Sequence, residues 1–159
     1  MCIRDRKFTM KVNIALLTVT DTRTFDNDKS GAILVEKIKA SNHNLLDRKI
    51  CKDNKDEIVV ILKDWLQNEK LDVIITTGGT GLTGRDITPE ALNEIADKHI
   101  PGFGEVFRNI SLKTVGTSAI QSRACAVLSN GKYVFALPGS SGGVTAVSYT
   151  HLRAHETQR

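Results

Sequence analysis

The chain has 159 residues and a mass of 17.5 kDa, which predicts one domain able to bury roughly two-thirds of its unfolded surface. With 40% hydrophobic and 25% charged residues it reads as globular, not disordered, and no apolar run approaches the roughly 20 residues needed to cross a bilayer. The net charge of +4 does not mark a nucleic-acid binder: the excess lies in the two ends (Arg4, Arg6 and Lys7 against Asp5; Arg153 and Arg159 against Glu156), and the body is nearly balanced.

In chain order, Met1-Cys-Ile-Arg-Asp-Arg6 does not share the pattern of the residues after it and resembles translated adapter read-through, so the domain is expected to begin at residue 10. No apolar stretch adjoins these basic residues, and a secretory signal is not expected. Val12 to Val19 is rich in β-formers and predicts a buried first strand, ending in the polar loop Thr20-Asp-Thr-Arg-Thr24. Ser30 and Gly31 open a helix with Leu34 and Ile38 on its inner face, and a strand is expected next over Leu45–Cys51. Ile58, Ile61, Leu62, Trp65 and Leu66 recur at helical spacing, which predicts an amphipathic helix over Asp56–Glu69. His43 falls between these elements and reads as an exposed loop residue.

Asp72–Thr77 predicts a buried strand running directly into glycines. Thr88-Pro89-Glu90 then marks a helix start, with Thr88 as N-cap, running to about Lys98, and His99 is expected at that helix's C-terminal end. A further helix is expected after Pro101-Gly-Phe-Gly104, through Val106, Phe107 and Ile110, on which Glu105 and Arg108 are placed to pair. Arg123–Leu128 and Tyr133–Leu137 read as strands joined at Asn130-Gly131, a strong hairpin signal. Strand–helix alternation predicts an α/β fold with a mostly parallel sheet, helices on both faces and a late antiparallel hairpin. Cys2, Cys51 and Cys125 form no C-x-x-C pair, so neither a disulfide framework nor a zinc site is expected, and a reducing, cytoplasmic setting fits best. Residues 148–159 again resemble read-through; the domain is expected over 10–147, truncated at its C-terminus, and no metal is assigned to His151, His155 and Glu156.

The chemistry centres on the glycines. Gly79-Thr-Gly81-Leu-Thr-Gly84 matches the G-x-G-x-x-G pattern after a strand, but Pro89 starts the helix too late for a dinucleotide fingerprint. Arg85 and Asp86 stand where a P-loop needs Lys and Ser or Thr. What remains is a physical reading: glycines at a strand's C-terminal end bring backbone N–H groups close to an anionic oxygen. An aspartate beside a phosphate is coherent when a hard cation bridges them, which points to Mg²⁺ at Asp86. Arg85 and Arg123 are candidate neutralisers of phosphate charge.

Taken together, Thr76-Thr-Gly-Gly-Thr-Gly81, Arg85-Asp-Ile-Thr-Pro-Glu90, Pro101-Gly-Phe-Gly-Glu105 with Arg108, Gln121-Ser-Arg123 and Leu137-Pro-Gly-Ser140 resemble the MoaB/MogA family of molybdenum cofactor biosynthesis. The resemblance covers about Val12 to Gly139 and is closer to the MoaB branch. It implies a three-layer α/β/α sandwich, a homotrimer or homohexamer, and Mg²⁺- and ATP-dependent adenylylation of molybdopterin with release of pyrophosphate. It further implies catalytic and metal-binding roles for Asp53 and Asp86, and a phosphate loop at Gly78, Gly79, Thr80 and Gly81. Thr20, Asp21, Pro138, Gly139 and Ser140 match neighbouring nucleotide-binding loops, and Ser111 and Ser122 match serines around the pterin. The alternative within the same pathway is a non-catalytic molybdopterin carrier. Neither a nucleic acid nor a membrane is an expected partner.

Overall fold

The computed structural model describes residues 11–140; the two expected tails, with His151, His155 and Glu156, lie outside the described residues. The strands are β1 (Asn13–Val19), β2 (Asn44–Cys51), β3 (Val73–Thr77), β4 (Lys98–His99), β5 (Cys125–Ser129) and β6 (Lys132–Leu137). The helices are α1 (Lys29–Ala40), α2 (Lys55–Leu66), α3 (Thr88–Ile95) and α4 (Pro101–Val115), and a 3₁₀ turn over Gly116–Gln121 succeeds the last of them. They form one six-stranded sheet in the order β2-β1-β3-β6-β5-β4. The pairs β1–β2, β1–β3 and β3–β6 are parallel, whereas β5 pairs antiparallel with both β6 and β4. The expected parallel sheet with a late hairpin is thus the observed one.

Because successive side chains of a strand point to opposite faces, β1 feeds two cores at once. Ala15, Leu17 and Val19 join Ile58, Leu62, Trp65, Leu92 and Val134 beneath α2 and α3. Ile14 and Leu16 join Leu34, Ile38, Phe107 and Phe135 beneath α1 and α4. Full burial of a Leu or Ile of this kind contributes about 2 kcal/mol relative to exposure. The result is the three-layer sandwich, helices on both faces of one sheet. Among the described residues no helix is long and apolar enough to cross a membrane.

Several local expectations are corrected. Helix α1 is capped by Asp28, whose carboxylate accepts from the Gly31 N–H, and α2 stops at Leu66, short of Glu69. Thr88 is not an N-cap: it lies inside α3, and its hydroxyl donates to the Gly78 carbonyl. Helix α3 ends at Ile95, so His99 sits on edge strand β4 opposite Val127 and not at a helix terminus. Helix α4 begins at Pro101 itself, whose fixed φ suits the first turn. Arg108 reaches the carbonyls of Ser122 and Ala124, not Glu105. His43 is half-buried, and its Nδ1 accepts from the Val12 N–H.

Candidate functional site

In the parallel register Thr18 lies beside Thr77 and Thr77 beside Leu137, so the loops after β1, β3 and β6 leave the same edge of the sheet side by side. Strand C-terminal ends around the reversal of strand order are where open α/β sheets leave a crevice. Here the crevice is a cleft of about 560 Å³.

The loop after β3 forms its floor. Gly78 and Gly79 have φ of +105° and +65°. A β-carbon on Gly78 would lie 2.2 Å from the Val19 carbonyl oxygen, and one on Gly79 would lie 2.4 Å from Thr88 Oγ1. Both positions therefore require glycine, for conformation and for space. The loop's carbonyls are tied away from the cleft. Gly78 O accepts from Thr88 Oγ1 (2.9 Å), Gly79 O from the Thr88 N–H (3.0 Å), Thr80 O from the Arg123 N–H (3.0 Å) and Gly81 O from Arg123 Nε (2.8 Å). The N–H groups of Gly79 and Thr80 have no partner among the described residues. Fixed carbonyls and unclaimed N–H groups in the wall of a cleft are what a backbone anion cradle consists of.

Two carboxylates flank this loop. Asp53, two residues beyond β2, has its Oδ1 2.9 Å from where a Gly79 β-carbon would stand, and Asp86 Oδ2 is 2.8 Å from the equivalent point on Gly81. Partial burial, and after it the negative charges of Asp21 and Asp86, hold the Asp53 pKa above its ordinary value, with Arg85 opposing. Asp86 behaves oppositely. Burial pushes its pKa up, but the Thr83 hydroxyl and N–H, the Gly81 N–H and the charge of Arg123 outweigh it, and the net shift is downward. Among the described residues no three His, Cys, Asp or Glu side chains converge as a metal cage. Two carboxylates beside free N–H donors fit instead a hard dication that completes its shell with phosphate and water, as Mg²⁺ does.

Thr20, Pro138, Gly139 and Ser140 line the cleft from the flanking loops. Asp21 does not; it stands behind Asp53 and accepts from the Asp53 N–H at 3.1 Å. Helix α4 and the 3₁₀ turn supply the other wall, with Phe107, Val115 and Ala119 beside Ser111, Ser118, Gln121 and Ser122. The Ser111 hydroxyl is buried and has no hydrogen-bond partner among the described residues, an unusual cost for a native side chain. Neither candidate arginine lines the cleft. Arg123 lies behind the loop and donates to Gly81 O, Asp86 O and Glu90, which gives it a supporting role. The Arg85 side chain is 79% exposed and lies 3.9 Å from Asp21. Burial pushes the Cys51 and Cys125 thiols up to about 12 and about 11, so neither is poised as a nucleophile.

Among the described residues, the cationic side chain that does line the cleft is Arg23, which in the sequence is one residue of a polar loop. Its only signal there is its place just beyond a buried strand's C-terminal end.

The chain matches the family model described as a probable molybdopterin binding domain over residues 15–155. It is 44% identical to molybdenum cofactor biosynthesis protein B of Halalkalibacterium halodurans over 134 residues, covering 84% of this chain and 79% of that protein. A crystal structure of a molybdenum cofactor biosynthesis protein B superposes with a TM-score of 0.86 at 42% identity, covering 93% of this chain and 92% of the other. The tungsten cofactor synthesizing protein MoaB from Pyrococcus furiosus superposes with a TM-score of 0.79 at 34% identity, covering 92% of each chain.

Proposed function

Since the chain belongs to the MoaB/MogA family of molybdenum cofactor biosynthesis, we propose that its cleft transfers AMP from ATP to the terminal phosphate of molybdopterin, releasing pyrophosphate. The observation that carries this reading is the arrangement of Asp53 and Asp86 on either side of a loop with anchored carbonyls and free N–H groups. A pterin-phosphate oxygen forms a bond to the α-phosphorus as the bond from that phosphorus to the β-phosphate bridging oxygen breaks. Such a transfer needs alignment and charge neutralisation more than covalent help.

The chain's own groups divide that work. The Gly79 and Thr80 N–H groups hold phosphoryl oxygens. Asp53 and Asp86 are the residues that would hold Mg²⁺, which when bound neutralises charge on the nucleotide phosphates. The unpartnered Ser111 hydroxyl, with Ser122 and the apolar face of Phe107 and Ala119, offers the mixed polar and apolar wall that a pterin ring requires.

The test is pyrophosphate release from ATP on addition of molybdopterin. The full chain is expected to turn over, and Asp86→Asn to lower the rate about a hundredfold, the typical cost of removing one preorganised electrostatic group. Unchanged turnover in Asp86→Asn overturns the role of that carboxylate. Tight pterin binding without any pyrophosphate overturns the transferase reading in favour of a carrier.

A further inference from the structure

The charge on the cleft wall is unevenly distributed. Among the described residues its charged lining consists of Asp53, Asp86 and Arg23, so one exposed arginine faces a site suited to phosphates. How that arginine is held is informative. Its Nη1 donates to Ser30 Oγ at 2.8 Å and to the Gly139 carbonyl at 3.2 Å. Because Arg23 comes after β1 and Gly139 after β6, and β3 lies between those strands, the side chain spans the end of the strand that carries the glycine loop.

Both acceptors are neutral. Ser30 donates its own hydroxyl proton to Asp28 Oδ1 at 3.2 Å, which leaves its lone pairs for Arg23. The charge of Asp28 is not available to Arg23, because Arg48 pairs with it at 3.0 Å and Thr18 and the Gly31 N–H donate to it as well. No carboxylate pairs with Arg23 among the described residues, and its Nε and Nη2 have no protein partner there. A guanidinium fixed through one nitrogen by neutral acceptors, with the rest of its donor fork free, is preorganised for an oxyanion.

We infer that Arg23 is a substrate-binding residue that takes a phosphoryl oxygen of a phosphate-bearing ligand in this cleft, with Ser30 and the Asp28–Arg48 pair as its positioning support. The inference rests on the phosphate-binding reading of the cleft and extends it to a residue outside the glycine loop. Two sources share the chemistry, the polyphosphate of a nucleotide and the phosphate monoester of the pterin. The Arg23 contact supplies charge inside the cleft, whereas the donors of Arg123 are taken by Gly81, Asp86 and Glu90.

Calorimetric titration of the full chain in magnesium buffer tests this with three probes: inorganic pyrophosphate, inorganic phosphate and phosphate-free adenosine. Arg23→Met is expected to weaken pyrophosphate or phosphate binding about tenfold or more, as loss of a charged hydrogen bond does, and to leave adenosine binding unchanged. Loss confined to pyrophosphate assigns the contact to the nucleotide; loss confined to phosphate assigns it to the monoester. Arg23→Lys, which keeps the charge and loses the fork, is expected to retain part of the affinity with a steeper salt dependence. Ser30→Ala is expected to weaken the same probe less than Arg23→Met. Unchanged affinity for both anions in Arg23→Met overturns the inference. So does an equal loss for adenosine together with a lowered unfolding temperature, since that is the signature of a loop staple. None of these readouts requires turnover. Arg23-dependent anion binding without pyrophosphate release would sink the transfer reading alone, and release with Arg23-independent anion binding would sink this inference alone.

Discussion

Two glycine turns in this molecule share positive φ and differ in what surrounds it. At the hairpin between β5 and β6, Asn130 and Gly131 have φ of +47° and +71°, and a β-carbon on Gly131 would meet nothing within 4 Å. At the end of β3, Gly78 and Gly79 also have positive φ, but hypothetical β-carbons there run into Val19 O, Thr88 Oγ1 and Asp53 Oδ1. The hairpin uses glycine for a torsion angle. The cleft needs it for room as well, so that backbone donors and two carboxylates fit around one short loop. Positive φ alone does not distinguish a turn from a cradle; the surrounding atoms do.

The sharpest way to break that contrast is Gly78→Ala. The substitution combines a disfavoured φ with a contact to a backbone carbonyl that cannot move without displacing β1. About 3 kcal/mol of destabilisation is expected from strain and overpacking together, read as a lowered midpoint in denaturant unfolding, with phosphate binding lost at the same time. An unfolding midpoint equal to that of the parent would mean the loop relaxes freely and is not a rigid cradle.

The contrast also explains what was readable from the sequence. Asn130-Gly131 is a local turn, and its two residues are sufficient to identify it. The strands were readable because their apolar runs are local too, and the two sheet faces emerge from alternation along β1. The glycine loop was readable as a candidate anion site because it succeeds a buried strand. What held it in shape was not. Thr88 reads as a helix cap by type and position, yet its hydroxyl is directed to Gly78 O, a tertiary contact that overrides the capping preference. Arg123 reads as a phosphate neutraliser, yet its donors go to carbonyls from 37 to 42 residues away. Arg23 was missed for the same reason, since one of its acceptors lies 116 residues along the chain. His99 reads as a helix end because no local rule places a two-residue edge strand there.

A second way to sharpen the comparison uses the two acids that line the cleft. Asp53 is held above its ordinary pKa of 3.8 by burial and by Asp21 and Asp86. The folded state therefore binds its proton more tightly than the unfolded state does. Stability falls as pH rises from 3.8 through the raised folded value, and the penalty is complete at neutral pH. Asp53→Asn is expected to raise the unfolding midpoint at pH 7, with no gain below pH 3.8. Asp86 has the opposite sign: its lowered folded pKa supplies stability above 3.8 that is lost as pH falls through that lower value. Asp86→Asn is expected to cost about 1 kcal/mol at pH 7, the worth of the charge-assisted bonds from Thr83 once solvent screening at this half-buried side chain is discounted, with the gap closing in acid. Urea titrations of both variants across pH 3–8 check the pair. Shifts of the same sign would show that the two carboxylates do not occupy the opposed environments described.

The smallest effect on function is expected at the other turn, and its smallness is what the comparison requires. Gly131→Ala meets no neighbour, so its cost is the torsional preference alone, about 1 kcal/mol for a non-glycine residue at left-handed φ. The change is local because Ser129 and Lys132 keep their pairing across the hairpin and the register of β6 is set by β3 as well as by β5. Pyrophosphate affinity should equal that of the parent, since this turn lies at the N-terminal end of β6 and the cleft at its C-terminal end. Calorimetry and urea unfolding on the one variant measure both quantities. A destabilisation matching that of Gly78→Ala would show that the torsion angle dominates at both turns, and the crowding around Gly78 would then be incidental to its function.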